Sequence, residues 1–187
     1  MELRRLEIEG AWIASSPVWK DERGNFREWF KYADILSATG INFDVAQANI
    51  SSSAFGVVRG VHYSLNDGGQ SKWVTCVSGK SMDVIVDIRP KSATYGKYVT
   101  VDLAADDGRA VLIGADLGHG FISLEQGTVM SYLLSSPYSP ESEYGINPMD
   151  PAIGISWGIK GDEILLSPKD KLAPSLAQRA IEGMLPI

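Results

Sequence analysis

Residues 56–89 read GVVRGVHYSLNDGGQSKWVTCVSGKSMDVIVDIR. Three short runs, GVVRGVHY, KWVTCV and SMDVIVDIR, are rich in β-branched and aromatic residues, and Gly, Asn, Asp and Ser clusters separate them. That is the text of strands joined by turns. In the third run Met82, Val84, Val86 and Ile88 alternate with Asp83, Ile85, Asp87 and Arg89, so the two sets face opposite ways. The face carrying two aspartates and an arginine is expected to line a polar cavity or solvent. The pattern continues from Asn42 to Trp157 through VAQANI, KYVTVDL, AVLIGA, HGFISL, TVMSYLL and GISW. Many short strands without alternating helices mean a sandwich, jelly roll or barrel. The ends of the chain read differently. Leu6, Ile8 and Ala11–Ile13 form short alternating pieces, DERG at 21–24 forms a turn, and NFREWF at 25–30 resumes the strand pattern. KYADILSATG at 31–40 reads as a helix with Tyr32, Ile35 and Leu36 on one face and Gly40 at its end. LAPSLAQRAIEGM at 172–184 returns to helix, with Leu176, Ala180 and Ile181 at helical spacing. The expectation is one mainly β domain over 1–187 with short flanking helices.

The totals restrict the partners. The net charge of −6 and a pI near 4.9 argue against a general nucleic-acid binder, while leaving room for a local basic pocket. Cys76 is the only cysteine, so no intrachain disulfide can form. A lone thiol in an apolar run fits a reducing compartment. MELRRLEIEG has no apolar signal region, and no apolar run approaches the ~20 residues of a spanning helix. A soluble cytoplasmic protein, with neither nucleic acid nor membrane as partner, is expected.

Residues able to do chemistry are few. Arg59, His62 and Lys72 fall around one turn between adjacent strands, which assembles a base, a fixed cation and a tunable cation. Such a set can remove a proton next to a carbonyl; equally, His62 can be a half-buried strand histidine beside solvated charges. His119 lies between Gly118 and Gly120, which let a ligand or backbone come close, or simply make a turn. Tyr132 sits on a strand, where packing is the common role. Tyr138, Glu141, Glu143 and Tyr144 fall in a Pro-bearing rim segment, SSPYSPESEYG. Asp170 in SPKD either orients a histidine or caps the last helix. Two histidines without an HxH or HxxxH pair make a poor metal site, and no Gly-rich nucleotide loop is present. Neither metal nor cofactor is expected.

Taken in order, DERGNFREWF, QANISSS, VVRGVHY, QSKWVTCVSGKSMDVIVDIRPKSATYGKY, GHGFISL, YSPESEYGINPMDPAIGISW and LSPKD resemble the dTDP-4-dehydrorhamnose 3,5-epimerase family from about Ser16 to Pro174. The resemblance implies a cupin-type jelly-roll β-sandwich, metal-free and homodimeric. It implies epimerisation of a dTDP-4-dehydro-6-deoxyhexose at C3 and C5, by proton abstraction next to the 4-keto group and reprotonation from the opposite face. On that likeness His62 matches the base, Asp170 its orienting carboxylate, Lys72 the cation at the oxyanion and Tyr132 the acid. His119 matches a second histidine near the sugar, with Asp83 as its support. Arg23, Arg59 and Lys169 resemble diphosphate and nucleotide contacts. Phe26, Glu28, Gln47, Asn49, Tyr138 and Glu143 resemble contacts to thymidine or sugar, and a second subunit could donate some of these. Ser64, Gly114, Asp116, Gly118 and Gly158 depart from the family pattern. The alternatives are a C3-only or C5-only mono-epimerase of an antibiotic deoxysugar pathway and a non-catalytic sugar-nucleotide-binding jelly roll.

Overall fold

Alternation with a period of two runs through the middle of the chain and builds two facing antiparallel sheets. The computed structural model describes residues 1–187. In chain order the elements are β1 (Glu2–Arg5), β2 (Ala11–Ser15), β3 (Trp19–Asp21), β4 (Gly24–Phe26) and α1 (Tyr32–Thr39). The long strands follow: β5 (Gln47–Ser53), β6 (Val58–Ser64), β7 (Lys72–Ser78), β8 (Lys80–Asp87) and β9 (Tyr98–Ala104). β10 (Arg109–Ile113), β11 (Leu117–Ser123), β12 (Thr128–Leu134) and β13 (Glu143–Gly145) complete the sheets, and α2 (Pro168–Lys171) and α3 (Leu176–Ile181) close the chain. One sheet has the order β1-β2-β10-β7-β12-β5, the other β13-β6-β11-β8-β9, and β3-β4 form a separate hairpin. Of the sandwich, jelly roll or barrel that the strand pattern allows, this is the jelly-roll sandwich that the family resemblance implies.

Three apolar layers result. Val74, Cys76, Ile85, Leu103, Phe121 and Met130 fill the space between the sheets. The outer face of the second sheet is covered by residues after the last long strand, with Val61, Val84, Val86 and Ile88 packed against Trp157, Leu176 and Leu185. On the outer face of the first sheet, Trp73, Leu112 and Leu133 meet Ile35 and Phe43. Both faces of β8 are therefore buried, which corrects one reading of its alternation. The face with Asp83, Ile85 and Asp87 points into the protein, and all three side chains are buried. Each aspartate has a partner there, although Asp83 Oδ1 is buried without one. Asp83 meets His119, and Asp87 accepts hydrogen bonds from Arg89, Ser92 and Thr94. Burial opposes ionisation of Asp87, but these donors outweigh it and hold its pKa at about 2.

Other expectations fail for local reasons. NFREWF is a strand only to Phe26. Beyond it the chain leaves the hairpin and lies over the first sheet, where Arg27 Nη2 donates to Cys76 O and Trp29 O accepts from Trp73 Nε1. GISW is irregular, and Trp157 is buried with its Nε1 donating to Pro148 O at 3.0 Å. The tail is two short helices, broken where Pro174 cannot continue a helix. Ser175 and Gln178 form a capping box that starts the second. Of its expected apolar face only Leu176 is buried; Ile181 is 87% exposed and Ala180 exposed. In α1 likewise only Ile35 is buried. No helix is long and apolar enough to cross a membrane.

Candidate active site

A cavity of about 590 Å³ opens between the two sheets, and its walls follow from strand parity. On β7 Lys72 shares the inward face with Val74 and Cys76; on β12 Tyr132 shares it with Met130 and Leu134. His119 does the same on β11 with Phe121. β6 breaks the rule. Arg59 and His62, three residues apart, would point to opposite faces of a regular strand, yet both line the cavity. Their partners on β11, Phe121 and His119, are two residues apart, so β6 carries one extra residue. That bulge turns both side chains the same way. Gly60 makes it feasible: its φ is +110°, and a Cβ there would lie 2.5 Å from His119 O. The glycines beside His119 serve the same contact. A Cβ on Gly118 would lie 2.6 Å from Val61 Cγ1, so β6 and not a ligand takes that space.

Two histidine–aspartate pairs stand side by side, because His62 and His119 are cross-strand partners. His62 Nε2 lies 2.6 Å from Asp170 Oδ1. Asp170 Oδ2 accepts from Ser167 Oγ at 2.8 Å, and the Asp170 N–H donates back to Ser167 Oγ at 3.0 Å. Ser167 is the N-cap of α2, so the cap itself fixes the carboxylate that holds His62. Burial pushes the Asp170 carboxyl up, but His62 and Ser167 outweigh it and keep it below the usual range. The second pair, His119 Nε2 to Asp83 Oδ2 at 2.8 Å, is fully buried on the carboxylate side. Burial raises the Asp83 pKa against the opposing pull of His119.

Lys72 is 7% exposed and has no salt-bridge partner. Burial lowers its pKa to about 8, and the negative charge of Glu143 only partly offsets that. Glu143 Oε1 is buried without a hydrogen-bond partner. Tyr132 OH lies 2.9 Å from Ser51 Oγ, and burial raises its pKa. Arg59 and Lys169 add cationic charge to the wall. No three His, Cys, Asp or Glu side chains converge as a metal-binding group would require.

The structure thus brings His62, Lys72, His119, Tyr132, Asp170, Arg59, Asn49, Tyr138, Glu143 and Lys169 to one cavity. Gln47 stands behind it, donating to Asn49 Oδ1 at 2.8 Å and accepting from Tyr138 N at 2.9 Å. Arg23, Phe26 and Glu28 are elsewhere. Arg23, 85% exposed, pairs with Asp21 on the β3–β4 hairpin, and Phe26 packs against Trp19 in a tilted arrangement. Ser64, Gly114, Asp116 and Gly118 do not line the cavity. Sequence reasoning missed Ser51, Gln70 and Ser167, which do. The pattern S-x-x-D at 167–170 was the available sign of Ser167. The run SSS at 51–53, polar where a strand's inward face should be apolar, was that of Ser51.

A jelly roll whose cavity holds a carboxylate-braced histidine on one sheet, and a buried lysine and a tyrosine on the other, has the parts of an isomerase that moves protons next to a carbonyl. The family description dTDP-4-dehydrorhamnose 3,5-epimerase matches residues 5–178. The chain belongs to that family and is an isomerase. It is 43% identical to the dTDP-4-dehydrorhamnose 3,5-epimerase of Mycolicibacterium smegmatis, over 100% of this chain and 91% of that one. Among solved structures it resembles NovW, a 4-keto-6-deoxy sugar epimerase from the novobiocin cluster of Streptomyces spheroides, with 40% identity, a TM-score of 0.96 and coverage of 100% and 92%. It also resembles ChmJ, a 3'-monoepimerase from Streptomyces bikiniensis solved with dTDP-quinovose, with 41% identity, a TM-score of 0.91 and coverage of 97% and 91%.

Proposed function

We propose that the chain epimerises a dTDP-4-dehydro-6-deoxyhexose at C3 and C5, in the cytoplasm, without a metal. The observation that carries this is the placement of His62 and Tyr132 on facing sheets around one cavity. Inversion needs a proton taken from one face of a carbon and one delivered to the other, so base and acid must oppose each other. His62 is the base. Its Nε2 is engaged by Asp170 and its other ring nitrogen has no protein partner, which leaves that nitrogen for the substrate proton. Lys72 stabilises the enolate oxygen from a dry position, where a fixed charge acts most strongly. Tyr132 returns the proton. Arg59 and Lys169 take the diphosphate, and Asn49, Tyr138 and Glu143 contact the nucleoside and sugar, with Gln47 holding the first two in place.

The test is incubation with dTDP-4-keto-6-deoxyglucose in D2O, following the sugar protons by NMR. Loss of both the H3 and H5 signals is expected. Loss of H3 alone supports the second reading, a C3 mono-epimerase, which the similarity to a 3'-monoepimerase favours. No exchange at either carbon refutes both.

The same reading includes a homodimer in which each copy's β3–β4 hairpin and the segment just after it bring Arg23, Phe26 and Glu28 to the other copy's cavity. In support, all three side chains are exposed, and the hairpin that carries Arg23 and Phe26 presents the aromatic pair Trp19 and Phe26, 51% and 67% exposed. Sedimentation should give twice the 20.3 kDa chain mass. Mixing Arg23→Ala with His62→Ala subunits should recover part of the activity that each lacks alone; no recovery, or a monomer mass, counts against the arrangement.

A further inference from the structure

The reaction leaves Tyr132 without its proton after every inversion, and the geometry around the phenol shows how that proton can be restored. Tyr132 packs edge-on to His119 at 6.2 Å between centroids and against Phe121 at 6.3 Å. Those rings hold its side chain and flank it on the side of the facing sheet. Its hydroxyl has one protein partner, Ser51 Oγ at 2.9 Å, and Ser51 Oγ has no other. The pair arises from register: Tyr132 lies opposite Asn49 on β5, so Ser51 is its diagonal neighbour. β5 is the edge strand of its sheet. Ser51 is half-buried, while Ile50 is 74% exposed and Ser52 exposed on either side. Asn49, Ser51 and Ser53 form the strand's inward column, and Ser53 Oγ is already taken by Arg59 Nε at 3.1 Å. Ser51 is therefore the hydroxyl in this column available to Tyr132, placed between a buried phenol and the outer edge of the sheet.

We propose that Ser51 is a positioning residue that holds an exchangeable proton against Tyr132 and relays a solvent proton to it between inversions. This rests on Tyr132 being the acid. The balance is closed. The Tyr132 O–H bond breaks as a C–H bond forms at the sugar, and the O–H electron pair remains on the phenolate. The Ser51 proton then moves to the phenolate oxygen as Ser51 takes one from solvent. His62 meanwhile releases to solvent the proton it removed, so one proton enters and one leaves, with no oxidant or reductant. Burial raises the Tyr132 pKa, so its phenolate is costly to keep, and a donor in contact shortens its life.

The experiment compares wild type, Ser51→Ala, Ser51→Thr and Tyr132→Phe in two regimes, single turnover with enzyme in excess and steady state with substrate in excess. The relay serves only the reset. Ser51→Ala should therefore complete its first inversion at close to the wild-type rate, while its steady-state kcat falls about 10- to 100-fold, in the lower range of a lost proton-transfer group. Ser51→Thr, which keeps the hydroxyl on a strand-compatible side chain, should restore steady-state turnover. Thermal midpoints and dTDP binding should be unchanged in both Ser51 variants. A first inversion slowed as much as the steady state would show that Ser51 merely orients the phenol, and unchanged steady-state turnover would show that it does nothing; either overturns the relay. Undiminished net inversion by Tyr132→Phe would instead remove Tyr132 as the acid, a result distinct from any Ser51 outcome.

Discussion

Replacing His62 by alanine should abolish solvent exchange at the sugar carbons, a fall of about 10²–10⁴-fold or more in the exchange rate. The second histidine cannot take its place. His119 Nε2 is bound to the buried Asp83, and its side chain is 6% exposed against 38% for His62. Nucleotide binding should survive, because Arg59, Lys169 and Tyr138 do not depend on the imidazole. The fold should lose little, since His62 is the more exposed partner and Asp170 keeps its bonds to Ser167. What is lost is the stabilisation of ionised Asp170. Its folded pKa is lowered, so the contribution is present above its unfolded pKa, about 4, and fades as pH falls through the folded value. The NMR exchange assay in D2O, paired with dTDP titration, checks both halves. Turnover near the wild-type rate would mean that the base is another group.

Lys72→Met should remove activity and stabilise the protein at once. Removing one oxyanion donor costs about 10²–10³-fold in kcat, and methionine keeps the length of the side chain without its charge. The sign of the stability change follows from linkage. The folded pKa of Lys72 is about 8 against 10.5, so the unfolded chain binds more protons between these values and stability rises with pH across that window. Below pH ~8 the buried ammonium opposes folding, by about 3 kcal/mol at 1.36 kcal/mol per pK unit. The methionine variant should recover roughly 1–3 kcal/mol at pH 7, measured by urea unfolding. The same group sets an alkaline limit. In the wild type kcat/KM should decline as pH passes about 8 and Lys72 loses its proton, and Lys72→Arg should carry the residual activity to higher pH because guanidinium stays charged. An inactive Lys72→Met that is also less stable would mean that the ammonium has a partner within the protein.

The buried lysine and the two buried aspartates belong to one design problem. Asp83 and Asp87 stand on the inward face of β8, which periodicity alone assigns to a polar surface. Each is tolerable there only because a residue distant in sequence or across a turn supplies donors, His119 for the one and Arg89, Ser92 and Thr94 for the other. Lys72 has no such partner inside the chain, and Glu143 Oε1 in the same cavity wall has none either. Unpaired buried polar groups are costly in a resting protein, and they make a cavity selective for a ligand that completes them.

The sequence by itself determined the all-β interior, because β-branched and aromatic runs broken by turn residues are local properties of the chain. It also determined that Lys72 shares a side of its strand with Val74, and Tyr132 with Met130, but not that this side faces inward, since Trp73 and Leu133 on the opposite side are buried too. The Ser167–Asp170 cap and the Pro174 break are written in it as well, as S-x-x-D and a proline that cannot continue a helix. The tertiary structure alone decided three things. It placed Arg59 beside His62 through a bulge in β6 that the contact of Gly60 with β11 permits. It turned the aspartates of β8 inward, and it put Arg23 and Phe26 on a hairpin, and Glu28 just beyond it, away from the chain's own cavity. Periodicity is fixed by the geometry of one strand, whereas bulges, buried charges and the reach of a hairpin depend on which atoms another part of the chain brings into contact.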